Sequence, residues 1–279
     1  MKATFCNLFV LLYSIVLISC HKDHDKGIQP MIDNAIHKQL HLIQGKRVFF
    51  GHQSVGNNII TGIKDVLVNY DDIHFNFISV DTSSQLPQNY FADSYVGENT
   101  NPNSKCDSFE QKIEHIFSGK LDVALMKFCY VDINAKSNVE SVFGKYRSTI
   151  DLLKSKYPQI IFVHVTMPLV SKAGGLKHSI KSLLGYSSND EIENIKRNIF
   201  NSMLTQYYAN ELIFDLAASE STYPDGKRES FSSNGQTYYT LIKDYTDDGG
   251  HLNKTGRKLA ATKLIEILAK AVETKKQGK

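Results

Sequence analysis

The sequence predicts a three-layer α/β/α sandwich built on a five-stranded parallel sheet. Short, nearly continuous apolar runs alternate with longer segments in which apolar residues recur every three or four positions. The apolar runs are typical of strands that a parallel sheet buries on both faces, and the periodic segments are typical of amphipathic helices. Because crossovers between parallel strands are right-handed, successive helices cover both faces of such a sheet.

The elements follow one another in a regular order. Five segments have the composition of buried strands: 47–50, 73–80, 121–126, 160–165 and 212–214. Periodic apolar faces predict helices over five further segments: 30–44, 55–70, 109–117, 142–153 and 192–204. Pro30 is a favourable first residue for the first helix, and Gly45 ends it. A polar loop containing Pro87 and Gly97 follows the second strand, and a long helix follows His251.

We predict one domain over residues 30–279, because no internal repeat or Pro/Ser-rich linker divides them. Residues 218–247 form an insertion after the fifth strand. Its Asn234-Gly235 pair between apolar residues is typical of a β-hairpin turn. Three tyrosines of the insertion either line a binding cleft or pack the hairpin: Tyr238, Tyr239 and Tyr245.

The N-terminus has the pattern of an export signal. Lys2 precedes an apolar stretch, residues 8–18, that is short for a membrane span but suits a signal peptide. The stretch ends in Ser19-Cys20, which resembles a bacterial lipobox. We therefore predict a signal peptide over 1–19, a lipidated Cys20 and a polar tether over 20–29, which together place the protein in the bacterial cell envelope, on its periplasmic or surface face. An ordinary signal peptide with an incidental cysteine is the alternative.

Composition excludes some partners and leaves other questions open. The formal net charge is +3 and no basic run occurs, so nucleic-acid binding is not predicted. No Gly-rich phosphate loop is present, and no cofactor is expected. In an oxidising compartment Cys106 and Cys129 either form a disulfide or remain free thiols. The sequence makes no prediction of oligomeric state.

One pair of histidines has the spacing of metal ligands. His37 and His41 lie four residues apart on the first predicted helix, so they share a face. A zinc site needs at least a third protein ligand, and none is evident in the sequence. We therefore predict no metal site and interpret the pair as part of a solvated helix face.

The residues that could perform chemistry follow the predicted strands. Ser54 follows the first strand, Gly97 the second, Tyr130 the third, and Asp248 and His251 the fifth. Carboxyl ends of parallel strands meet at one edge of a sheet, where ligands bind. A serine hydroxyl needs a base to act as a nucleophile, and the base needs an orienting carboxylate. Ser54, His251 and Asp248 have these chemical types.

Each of these residues also has a structural interpretation. Ser54 could cap the helix that follows it, and Asp248 and His251 could form a turn before the last helix. Their common position at one edge of the sheet favours the catalytic interpretation.

The order Ser, Gly, Asp-x-x-His resembles the SGNH, or GDSL-like, hydrolase superfamily. The resemblance implies a flavodoxin-like fold in which Ser54 is the nucleophile and Asp248 and His251 complete the triad. It also implies that the backbone N–H groups of Ser54 and Gly97 bind the oxyanion. The match is best at Asp248-Gly249-Gly250-His251.

Two motifs depart from the family pattern. The first block reads Gly51-His52-Gln53-Ser54 rather than Gly-Asp-Ser, and the segment 127–132 lacks the oxyanion Asn of the third block. Asn99, two residues after Gly97, is our candidate for the missing donor. Five residues are possible substrate contacts, the first two of them also possible donors: His52, Gln53, Lys127, Tyr130 and Asp132.

The resemblance implies a serine esterase that works through an acyl-enzyme without metal or cofactor. The expected substrate is a small-molecule or glycan ester, such as an acylated carbohydrate. Two other functions fit the same residues: an O-acyltransferase that uses the same triad, and a non-catalytic glycan-binding lipoprotein on a degenerate scaffold.

Overall fold

The computed structural model describes residues 22–80, 86–172 and 189–277. The predicted signal peptide and the lipidation site at Cys20 lie outside the described residues. Within the described residues, no helix is both long and apolar enough to span a membrane.

A six-stranded parallel sheet forms the centre of the molecule. Its strands are β1 (Arg47–His52), β2 (Phe77–Ser79), β3 (Tyr90–Tyr95), β4 (Val123–Met126), β5 (Ile161–Val165) and β6 (Ile213–Phe214). Their order is β2-β3-β1-β4-β5-β6, and every neighbouring pair is parallel. The predicted α/β sandwich is confirmed, with six strands rather than five.

The additional strand is β3, which lies in the segment that we predicted to be a polar loop. It pairs with β1 along its whole length and displaces β2 to the edge of the sheet. Asp93 and Ser94 interrupt its apolar pattern, so the sequence does not read as a buried strand. The structure compensates for one of these polar residues, since Asp93 Oδ2 lies 3.2 Å from His52 Nε2 on the neighbouring strand. Gly97 therefore follows β3 and not the second strand.

Seven α-helices lie in the described residues. They are α1 (Lys22–Ile43), α2 (Ser54–Leu67), α3 (Pro102–Gln111), α4 (Val139–Lys156), α5 (Asn189–Tyr207), α6 (Leu216–Ser221) and α7 (Lys254–Gln277). The first helix begins at Lys22 rather than at Pro30, so most of the predicted tether is helical.

Alternation along β1 shows how the sheet separates two apolar cores. Val48 and Phe50 pack with α1, α2 and α7 on one face. Phe49, between them, packs with α3, α4 and α5 on the other face. Successive side chains of a strand point to opposite faces, and here both faces are covered. The sheet and the helices on its two faces are the three layers that the sequence predicts.

The insertion after β6 contains a hairpin formed by β7 (Ser230–Ser233) and β8 (Gln236–Tyr239). Asn234 and Gly235 at its turn have φ angles of 50° and 77°, which a two-residue type I′ turn requires. Tyr239 stacks on Arg228 at 3.4 Å, and Tyr238 packs against Phe231.

Tyr245 is buried, and its hydroxyl donates to the Thr222 carbonyl. Tyr238 and Tyr239 thus pack within the insertion, whereas Tyr245 also lines a cavity between α1, α2, α6 and α7.

Close packing between α2 and α7 positions Ser54 and His251, two members of the candidate triad. A Cβ on Gly62 would lie 2.3 Å from the Arg257 carbonyl oxygen, so only glycine permits this approach. The contact is extended by Arg257, whose Nε donates to Asp65 Oδ2 at 2.7 Å. Ser54 begins α2, and His251 lies in the loop just before Lys254, where α7 begins. The distance between the two helices therefore affects the distance between the two residues.

We expect Gly62→Ala to destabilise the protein by roughly 1–3 kcal/mol, because the added methyl forces the two helices apart. Gly144→Ala is the matched control, since Gly144 also lies within a helix but has no atom near its added Cβ. That control should stabilise the protein by about 0.5–1 kcal/mol through helix propensity alone. Urea denaturation of both variants measures the difference, and equal effects would contradict the proposed close contact.

Candidate active site

Asp248 and His251 form a hydrogen-bonded pair in the loop before α7. His251 Nδ1 lies 2.6 Å from Asp248 Oδ2. Asp248 Oδ1 accepts hydrogen bonds from the backbone N–H groups of His251 and Gly250, at 2.8 and 2.9 Å. These bonds, with the one from the imidazole, hold the pKa of Asp248 well below its usual range. An ionised Asp248 keeps the proton on His251 Nδ1, which leaves Nε2 as the basic nitrogen.

Gly249 and Gly250 allow this loop its shape for two different reasons. Gly249 has a φ angle of +92°, which other residues rarely adopt. Gly250 faces Tyr130, whose ring carbon would lie 2.8 Å from an added Cβ. The loop is therefore pressed against the segment that follows β4.

Ser54 is the first residue of α2, and the residue at the N-cap position is Gln53. The Ser54 hydroxyl makes no capping hydrogen bond; its Oγ lies 3.9 Å from Cys129 Sγ. The structural interpretation of Ser54 as a helix cap is thus wrong. Ser54 lies at the N-terminus of α2, where the helix dipole places a partial positive charge close to its side chain.

Ser54 and His251 both contact the Cys129-Tyr130 segment that follows β4, but they do not form a hydrogen bond with each other. Ser54 touches Cys129, and the ring of Tyr130 packs edge-on against His251 with centroids 5.8 Å apart. One turn along α2 from Ser54, Asn58 Oδ1 accepts from the Leu252 N–H. A catalytic triad requires a hydrogen bond between Ser54 Oγ and His251 Nε2, whereas Ser54 Oγ here faces Cys129 Sγ.

The Gly97 loop is tied to the start of α2. Gln53 Nε2 donates to the carbonyl oxygens of Val96 and Gly97, at 3.0 and 2.9 Å. Gly97 has a φ angle of +53°, and a Cβ there would lie 2.5 Å from the backbone nitrogen of Lys105. In the hydrogen bonds of the described residues, the N–H groups of Ser54 and Gly97 have no acceptor, so both can bind an oxyanion.

A buried ion pair between Lys105 and Asp132 joins the other segments at the edge of the sheet where Ser54 lies. Lys105 Nζ donates to Asp132 Oδ2 at 2.6 Å and to Asn99 Oδ1 at 2.9 Å. The Asp132 carboxylate also accepts from the backbone N–H groups of Cys129 and Thr100. One carboxylate thus joins α3, the Gly97 loop and the segment after β4, and the ammonium fixes which way the exposed Asn99 amide is turned.

Sequence reasoning missed Lys105. It lies in an amphipathic stretch of α3 where a lysine ordinarily faces solvent, yet its side chain is fully buried. Only the placement of its acidic partner 27 residues later reveals its function.

Three of the five possible substrate contacts are used within the protein instead. His52 is fully buried, with its ring nitrogens near Asp93 and the Gln53 carbonyl. The Gln53 amide is occupied by two carbonyls, and Asp132 is the buried partner of Lys105. Neither His52 nor Gln53 is therefore available as an oxyanion donor.

The prediction that Lys127 reaches the cleft is also wrong. Lys127 is fully buried and donates to the Phe128 carbonyl, and burial lowers its pKa to about 8. Burial likewise raises the pKa of Glu220 to about 8, and its Oε1 has no partner among the described residues. Tyr130, half-buried beside His251, is the one predicted substrate contact that lies at the candidate site.

The two cysteines are free thiols, so the alternative of a disulfide is wrong. Both are buried, and burial raises the pKa of Cys106 to about 12. The Cys129 thiol is buried beside Ser54 and is therefore less accessible as a nucleophile than the Ser54 hydroxyl.

The candidate triad lies at an open surface. The side chains of His251 and Asp248 are 38% and 58% exposed. A cavity of about 700 Å³ between α1, α2, α6 and α7 is lined by none of the triad residues. The candidate triad therefore lies outside this cavity.

Comparisons with known proteins give similarity of structure but not of sequence. No family model matches the chain, and a comparison with curated proteins gives no match. The chain is similar to a solved structure described as a putative platelet activating factor from Streptococcus pneumonia, with 16% identity and a TM-score of 0.47. That alignment covers 88% of this chain and 95% of the other.

Two further structures are similar to the chain. A lipase/acylhydrolase from Enterococcus faecalis has 12% identity and a TM-score of 0.47, over 83% of this chain and 96% of the other. A carbohydrate esterase family 3 protein from Talaromyces cellulolyticus has 12% identity and a TM-score of 0.48, over 82% and 99%. The strand order and the helix layers described above define the fold, and similarity at this level carries no conclusion about function.

We expect Lys105→Met to destabilise the protein by about 3–5 kcal/mol, because it leaves the buried Asp132 carboxylate without its cation. Lys145→Met is the control, since Lys145 forms a partly exposed ion pair with Asp107 and should cost less than about 1 kcal/mol. Guanidinium denaturation measures both values. If the two variants lost similar stability, Lys105 would not be organising this edge.

Proposed function

We propose that the protein is a serine esterase whose catalytic triad is Ser54, His251 and Asp248. The observation that carries this proposal is the Asp248–His251 pair, which holds a basic imidazole nitrogen beside the segment that Ser54 contacts. A carboxylate, an imidazole and a helix-terminal serine at one edge of a parallel sheet have the chemical types of an acyl-transfer site.

In the proposed reaction Ser54 Oγ attacks the ester carbonyl while His251 Nε2 takes the hydroxyl proton. Asp248 stabilises the imidazolium that forms. The N–H groups of Ser54 and Gly97 and the amide of Asn99 donate to the tetrahedral oxyanion. His251 then protonates the departing alcohol, and a water molecule, activated by His251, releases the acid from the acyl-enzyme.

The exposure of the site supports a substrate larger than a simple ester. An acetyl or similar group on a carbohydrate could reach Ser54 without the whole molecule entering a cavity. An open site also admits water, which favours hydrolysis over transfer of the acyl group to a second alcohol. The lipobox-like Ser19-Cys20 supports a location on the cell envelope, where acylated glycans occur.

A non-catalytic glycan-binding role is the second candidate. One observation favours it: the Ser54 hydroxyl is turned to Cys129 and makes no hydrogen bond to His251 in this structure. Labelling by a fluorophosphonate probe, which needs an activated serine, separates the two functions.

We expect Ser54→Ala and His251→Ala each to lower p-nitrophenyl acetate hydrolysis at least about a thousandfold, because each removes a member of the triad. Ser232→Ala and His115→Ala are matched controls at exposed positions and should retain full activity. Activity that survives Ser54→Ala would mean that another residue is the nucleophile. A parent protein with neither activity nor probe labelling would support the binding role.

We expect Asn99→Ala to lower kcat by about 10²–10³ with little change in KM, because an oxyanion donor acts mainly in the transition state. Asn103→Ala is the control, since Asn103 is exposed nearby in the first turn of α3. Steady-state kinetics of both variants test the role. Unchanged turnover in Asn99→Ala would leave the oxyanion to the two backbone N–H groups.

A further inference from the structure

Two histidines of α1 and one aspartate of the α2–β2 loop meet on the surface of the molecule. His37 Nε2 lies 2.9 Å from each carboxylate oxygen of Asp72. His41 Nε2 lies 3.0 Å from Asp72 Oδ2. The ligand atoms that the three residues offer all lie within 4.8 Å of one another. The sequence alone does not reveal this third ligand, because Asp72 is 35 residues from His37.

We propose that His37, His41 and Asp72 bind a zinc ion. Two imidazole nitrogens and one carboxylate oxygen are a ligand set that Zn²⁺ accepts, with a water molecule at the fourth position. Zinc–ligand bonds of about 2.0–2.2 Å place tetrahedral ligands roughly 3.3 Å apart. The nitrogen–oxygen separations of 2.9 and 3.0 Å therefore need to open by only a few tenths of an ångström.

The ligands are held in place by contacts that leave their metal-binding atoms available. His37 stacks on the ring of Tyr70, with centroids 5.4 Å apart, and the Tyr70 hydroxyl donates to the Asp33 carbonyl of α1. Ile73, next to Asp72, is buried in the core. These contacts fix the loop against α1, which reduces the ordering cost of binding a metal.

The charge around the cluster also suits a cation. A shallow depression beside the cluster is lined by Asp33, His37, Asp71 and Asp72, so three acidic residues surround the entry to the ligands. Lys38, the residue after His37, carries the one positive charge adjacent in sequence to a ligand. The three carboxylates of this depression therefore favour a cation over an anion.

The position of the cluster assigns the metal a structural role. Asp72 follows the C-terminal end of α2, whereas Ser54 begins the same helix, and α2 spans about 20 Å. The ion would join α1, the first described helix, to a loop of the core at the end of the molecule opposite the candidate triad. It would therefore stabilise the fold without taking part in ester hydrolysis.

Isothermal titration of the chelator-treated protein with ZnCl₂ tests the proposal. We expect one zinc ion per chain, with affinity lowered at least about tenfold in Asp72→Ala and in His41→Ala. Asp71→Ala is the matched control, because it removes the same charge from the same loop but no ligand, and should change affinity less than about twofold. Unchanged binding in Asp72→Ala and His41→Ala would overturn the proposal and assign any bound zinc to another site.

Two further measurements keep this inference separate from the proposed esterase activity. Co²⁺ added to the parent protein should give the visible absorption of a tetrahedral site, and Asp72→Ala should abolish it; no such band in the parent would overturn the tetrahedral assignment. Saturating Zn²⁺ should raise the Tm of the parent by several degrees and leave that of Asp72→Ala unchanged. Absence of a shift in the parent would contradict the structural role, whatever the outcome of the esterase assay.

Discussion

The candidate active site depends on the close packing of α2 against α7. Ser54 and His251 lie near opposite ends of the chain, and neither positions the other directly. They are brought to one edge because Gly62 allows α2 to approach the backbone of α7, and because Asn58 accepts from Leu252, 194 residues away. A catalytic triad tolerates errors of less than about 0.5 Å, so this rigid contact between helices suits the task better than mobile loops.

The Lys105–Asp132 pair is the second constraint, and it acts on the oxyanion side of the site. Burying two charges is costly, and a buried pair is retained where both partners are fully hydrogen-bonded. Here the Asp132 carboxylate accepts three hydrogen bonds, from Lys105 Nζ and from the backbone N–H groups of Cys129 and Thr100, so it is held by three elements of the fold. Lys105 also donates to Asn99 Oδ1 and so orients the amide that we propose as the third oxyanion donor.

The two ends of α2 would then serve different purposes. Its N-terminus presents Ser54 and open backbone N–H groups, which are suited to developing negative charge. The loop after its C-terminus presents Asp72 to two histidines of α1, an arrangement suited to a cation. A metal at that end would secure α1 against the core, whereas the proposed reaction would take place at the opposite edge of the sheet.

The sequence by itself determined the layer architecture, the hairpin turn and the positions of Ser54, Asp248 and His251 after strands, because these features follow from local periodicity and turn chemistry. Tertiary structure alone decided the rest. The sequence did not predict strand β3, because Asp93 interrupts its apolar pattern. His52 becomes a partner for the Asp93 carboxylate only when β1 and β3 pair. Lys105 and Asp72 were missed for the same reason: each acquires its function from partners distant in the chain, and no local pattern records which charged side chains will meet.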